Sequence, residues 1–214
     1  MKKVFCFLCR NNLHKENLNL RQRVDFLKSK EIEKHFDTLI RQREAFYQES
    51  ILDFDRAWNR SLSEKWSIGE TLYHLYKMIR LFRRFSNFYM PVMLPIAYIR
   101  KRKPYKTKTH NIYEEYTEEK KRPMEAPSLI VPPLGLERKW NITEIQWFLE
   151  YETDQLKNRL KFIPQNIAGQ IYYPDPVAYY PNLIQSIHLL AIHEKHHFDL
   201  TLKYYSKSVK RHEI

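Results

Sequence analysis

A chain of 214 residues that is 43% hydrophobic and 14% aromatic can bury one core, and no apolar run in it approaches the roughly 20 residues of a membrane-spanning helix. Its three glycines, Gly69, Gly135 and Gly169, are too far apart for the G-x-G-x-x-G, Walker A and G-x-S-x-G loops, each of which needs at least two glycines at fixed close spacing. The net charge of +12 is concentrated in two places: residues 1–30 hold eight basic against two acidic side chains and 100–110 hold six against none, a pattern of solvated tail and loop that disfavours a nucleic-acid groove.

Residues 1–28 read as a basic N-terminal extension with weak periodicity. In its first stretch, MKKVFCFLCR, about six apolar residues follow the lysines, short of the 7–15 of a secretory signal core. The only cysteines, Cys6 and Cys9, form one C-x-x-C with neither a second pair nor a βαβ pattern around it. That arrangement fits a reducing, cytoplasmic setting better than a disulfide framework or a zinc ribbon.

Four helical patterns follow. From Ser29 to Leu62, Ile32, Phe36, Leu39, Ile40, Phe46, Ile51, Phe54 and Trp58 recur at helical spacing and predict the first helix. The second opens at Ser67, where Glu70 three residues on completes a capping box, and is expected to end before Pro91. Its apolar residues form two adjacent rows, and His74 lies in one of them. Residues 91–140 hold seven of the eleven prolines and read as a long crossover, with a short extended piece at Ser128–Val131. The third helix runs from Asn141, with Glu144 as the box partner, to before Pro164. After a Tyr-rich loop (Tyr172, Tyr173, Tyr179, Tyr180), which reads as aromatic packing, the fourth runs from Pro181 to Tyr205, and 207–214 form a tail.

The fourth helix carries the chemistry. Leu183, Ile187, Leu190, His193, His197, Leu200 and Tyr204 form one stripe at steps of three and four, so two histidines point into the core. At i and i+4 both imidazoles can reach one ion, and His74 on another buried face supplies a third ligand. Neutral imidazole suits zinc, nickel, copper or iron, and three protein ligands leave a position open for water or substrate. The alternative is a set of core histidines satisfied by hydrogen bonds. HEKHH, from His193, also matches H-E-x-x-H, in which Glu194 would be the general base of a metalloprotease, but no H-x-x-G-x-x-H follows. The E-x-x-H from Glu194 to His197 has no second copy, which a di-iron bundle requires. Glu194 lies about 100° around the helix from His193 and is a catalytic candidate only if it faces the metal. His188 and His196 lie off the stripe.

Trp66-Ser67-x-x-Glu70 followed by Leu72-Tyr73-His74-Leu75, the later His193-x-x-x-His197, and APSLIVPP at 126–133 resemble the DinB-like family of metal-binding helical bundles, which includes the YfiT-type metal-dependent hydrolases and thiol S-transferases. The resemblance covers residues 29–206. It implies an all-α, up-up-down-down four-helix bundle with the long Pro-rich crossover between helices two and three, and His74, His193 and His197 meeting at one end. It also implies one divalent ion per chain, zinc or nickel, that activates water or a thiol, a small-molecule substrate such as a low-molecular-weight thiol, and a homodimer. A non-catalytic metal-binding or interaction protein is the alternative. The extension and the basic 100–110 loop depart from the family pattern.

Overall fold

Each long helix starts at a side-chain cap. In the computed structural model, which describes residues 29–109, 111–115 and 126–212 with side chains through Lys207, Ser29 Oγ accepts the Ile32 amide at 3.3 Å and opens α1, Lys30–Tyr47. The N-terminal extension with Cys6 and Cys9, the crossover residues 116–125 and the last two residues lie outside the described residues. In α2, Ile68–Arg100, Ser67 and Glu70 form the expected capping box. Asn141 and Glu144 do the same for α3, Ile142–Leu160. Asn182 and Gln185 exchange two bonds of 3.1 Å at the start of α4, Leu183–His212.

Three sequence expectations need correction. α1 stops at Tyr47, well short of Leu62, because Asp53 accepts the amides of Asp55 and Arg56 and starts a 3-10 turn, Phe54–Arg56. Ile51, Phe54 and Trp58 pack on the core from a loop instead, and Trp58 lies so close to Gly69 that a Cβ there would sit 2.7 Å from the indole. α2 does not end before Pro91 but runs through Pro91 and Pro95. Both prolines are exposed, Met90 and Ala97 anchor the same stretch in the core, and the Asn87 carbonyl, which loses its helical donor to Pro91, accepts from Arg159 at 3.4 Å. Packing and a substitute donor outweigh the lost ladder bond. The piece at Ser128–Ile130 is a 3-10 turn rather than extended.

Helix direction also departs from up-up-down-down. His35 stacks on His188, Arg43 meets Glu194 and Phe46 stacks on Phe198, so α1 and α4 run parallel. Tyr73 contacts Trp140, Tyr76 contacts Phe148 and Arg83 binds Glu152, so α2 and α3 run parallel. Thr71 reaches Thr201 while His74 reaches His193, so α2 and α4 oppose each other. The bundle is up-down-down-up. A single crossover-length connection, the one between α2 and α3, permits a single parallel step along the chain.

The core is continuous and apolar, with Phe36, Leu39, Leu72, Leu149, Leu156, Ile184 and Ile187 fully buried. Between α1 and α4 it contains the His35–His188 stack, with ring centroids 4.3 Å apart and planes within 8°. His35 Nε2 and His188 Nδ1 are buried there without a hydrogen-bond partner. Burial, the neighbouring His188 and Lys34 push the His35 pKa down to about 4. Burial and Lys34 also lower His188, against Glu31. The unfolded chain takes up these protons near pH 6.5 and the folded one only at lower pH, so their contribution is complete above about 6.5 and declines as pH falls toward 4. Thermal melts from pH 7 to 4 should show stability falling across that window, with a shallower slope in His35→Phe, which keeps a ring in the stack. An unchanged slope in the variant would refute this assignment.

Candidate metal centre

His74 sits two turns into α2, fully buried, and His193 and His197 face it from α4. One ligand nitrogen from each of the three lies within 4.8 Å of the other two, and among the described residues no other group of three metal-ligating side chains comes together in this way. The Nε2 atoms of His74 and His193 are 2.9 Å apart. Imidazoles binding a tetrahedral ion at about 2.0–2.1 Å place neighbouring nitrogens about 3.3 Å apart, so the His74–His193 pair would open slightly, and the third nitrogen, within 4.8 Å, would adjust to meet zinc or a similar ion. Burial lowers the pKa of all three imidazoles, well below the ordinary value for His193 and His197. At neutral pH they are uncharged, the form that ligates.

The surroundings orient these rings. His74 Nδ1 is 2.9 Å from the Ile130 carbonyl, which can only accept, so Nδ1 carries the proton and Nε2 is left bare toward the cluster. Ile130 belongs to the APSLIVPP stretch, and its 3-10 turn is what aims the carbonyl. Trp66 stacks on His197 with planes within 14° and flanks His74, covering the cluster on one side. On the other, the Tyr113 hydroxyl bonds His193 Nδ1 and the Tyr113 ring stacks on His196 at 4.4 Å.

Glu194 is not part of the cluster. Its carboxylate takes three bonds from Arg43, at 2.9, 3.0 and 2.8 Å, and Arg43 Nη1 continues to Glu150 at 3.1 Å and Thr153 at 2.8 Å. Arg43 and Glu194 are each about 1% exposed. The condition for a base at position 194, that it face the metal, is not met, and the H-E-x-x-H arrangement loses its glutamate.

The family comparison agrees with this geometry. The profile of the DinB superfamily matches residues 29–200. The chain belongs to the DinB superfamily. No curated protein and no solved structure matches it. Within this DinB-superfamily chain, helical spacing was enough to find His74, His193 and His197. It could not find Arg43, which reads as one polar residue of an amphipathic helix, or the Ile130 carbonyl and Tyr113, which lie in the crossover, where no periodicity reports which way a residue faces.

Arg43→Leu leaves the Glu194 carboxylate buried without its partner and should cost about 3–5 kcal/mol, measured by urea unfolding. A loss below about 1 kcal/mol, the range of exposed pairs, would show that the pair does not set the α1–α4 packing.

Proposed function

We propose that the protein is a metal-dependent enzyme, a hydrolase or thiol S-transferase, in which His74, His193 and His197 hold one divalent ion, zinc or nickel. The substrate is a small molecule, and a low-molecular-weight thiol is the first candidate. The observation that carries this is three neutral imidazoles, two buried and His197 half-buried, converging with no fourth ligating side chain among the described residues, the donor set of an ion with an open position. When bound, such an ion lowers the pKa of a coordinated water or thiol and supplies a nucleophile at neutral pH. The chain's own residues orient the ligands: Ile130 holds the His74 tautomer and Trp66 stacks on His197. Glu194 serves as the counter-ion of Arg43. The cysteine usage favours a cytoplasmic setting, and no helix among the described residues is long and apolar enough to cross a membrane.

Elemental analysis of protein purified without a metal-affinity tag should find about one zinc or nickel per chain, lost in His193→Ala, and the metal-replete protein should turn over a substrate in a thiol-transfer or ester- and amide-hydrolysis screen. No metal after supplementation would overturn the proposal. Because the ligands come from only two helices, α2 and α4, a purely structural clip is the competing role. His74→Ala should abolish metal binding; chelating the metal from the wild type should leave it folded, and unfolding on chelation would favour the clip.

We infer further that two copies pair through α2. Leu81, Phe85, Phe88, Val92, Ile96 and Ile99 form one exposed stripe, with Phe88 81% and Ile99 86% exposed. The stripe presents on the order of 700 Å², beyond the roughly 300–600 Å² patch of a typical monomer and near the roughly 800 Å² per partner of a standard interface. An antiparallel two-fold at the level of Met90 would set Leu81 against Ile99 and Phe88 against Val92, with Phe85 and Ile96 within one residue of register, the self-complementary match that such symmetry requires. Sedimentation velocity at tens of micromolar should give a dimer, and Phe88→Glu a monomer. A monomeric wild type, or a dimer that survives Phe88→Glu, would refute it.

A further inference from the structure

The basic segment after α2 is one of the two parts of the chain that depart from the family pattern, and the one that the structure describes. Its backbone is fastened along the start of α4 by three side-chain amides: Gln170 Nε2 donates to the Lys103 carbonyl at 2.8 Å, Asn182 Nδ2 to Lys106 at 2.7 Å and Gln185 Nε2 to Lys108 at 2.7 Å. Beyond these fastenings residues 112–115 are helical, and Tyr179 donates to Glu115 at 2.6 Å. The lysine side chains at 106 and 108 stay exposed, so the strap is held by its carbonyls and not by its charge. What it delivers is Tyr113, half-buried, with its hydroxyl on His193 Nδ1 and its ring on His196.

We propose that Tyr113 is a positioning residue that holds the His193 ring by partnering Nδ1 in both its metal-free and its metal-bound tautomer and thereby raises the metal affinity of the site, an inference that rests on the metal-binding role proposed above. Without metal the proton positions follow from one end. The Ile130 carbonyl needs the His74 Nδ1 proton, so His74 Nε2 is bare; His193 Nε2, 2.9 Å away, must carry a proton to bond it. His193 Nδ1 is then bare and accepts from the Tyr113 hydroxyl. To ligate through Nε2, His193 must lose the proton there and gain one at Nδ1, remaining neutral with no net proton released. The Tyr113 oxygen, already in place, then accepts from Nδ1–H. A hydroxyl can serve both tautomers because it donates and accepts, whereas a carboxylate at this position could serve only the metal-bound one. The strap thus supplies to His193 the outer partner that the Ile130 carbonyl supplies to His74.

The test is zinc affinity by competition with a chromophoric chelator, together with the imidazole nitrogen NMR signals of His193, in wild type, Tyr113→Phe and Gln185→Glu. Gln185→Glu keeps the oxygen that caps α4 and replaces the donor to the Lys108 carbonyl with a carboxylate oxygen that repels it. Tyr113→Phe should weaken zinc about 10–100-fold, remove the slowly exchanging Nδ1–H signal of the zinc form, and leave the metal-free His193 tautomer, which is fixed from the Ile130 side, unchanged. Gln185→Glu should weaken zinc in the same direction by less, and it provides the reading if Tyr113→Phe does not fold. Wild-type zinc affinity in both variants, with the Nδ1–H signal of the zinc form retained, would overturn the role of Tyr113 and leave the metal site standing. A wild type that binds no zinc would overturn both.

Discussion

The rotation of α4 about its own axis is the setting on which the site depends, and the buried Arg43–Glu194 pair is positioned to hold it. Glu194 follows His193 by one residue, so when its carboxylate is drawn to Arg43 on α1, His193 and, one turn on, His197 are turned toward α2 and His74. A buried ion pair adds little net stability over an apolar pair of the same shape. Its geometry is nonetheless strict, since two N–H groups of one guanidinium meeting both oxygens of one carboxylate tolerate little rotation. Apolar neighbours such as Leu190 and Ile187 could settle in several rotations, and this pair selects one.

The crossover completes what the helices begin. Helices bring three imidazoles together but cannot determine which nitrogen each presents, because that depends on the group at the far side of the ring. Ile130 and Tyr113, from separate parts of the connection between α2 and α3, meet His74 and His193 there. The parallel order of α2 and α3 requires a connection long enough to return along the bundle, and the same length carries these groups over the cluster. Topology and site chemistry thus share one segment.

Much of this was legible in the chain. The capping boxes at Ser67–Glu70 and Asn141–Glu144 are local, so their sequence signatures hold wherever the helices pack. The i, i+4 spacing of His193 and His197 is likewise a property of one helix. Misreadings arose where tertiary contacts decide: Pro91 and Pro95 lie inside α2 because Met90, Ala97 and Arg159 make a continued helix favourable, and Trp58 has helical spacing but lies in a loop against Gly69.

By itself the sequence determined four helical segments, two of them with capping boxes, a histidine face on the last of them and a third buried histidine on the second, because caps and periodicity act within a few residues. Only the tertiary structure decided that the bundle runs up-down-down-up, that Glu194 turns to Arg43 rather than to the histidines, and that the Ile130 carbonyl and the Tyr113 hydroxyl meet the outer nitrogens of His74 and His193. Each of these depends on which groups meet across tens of residues of chain, and neither spacing nor propensity encodes that.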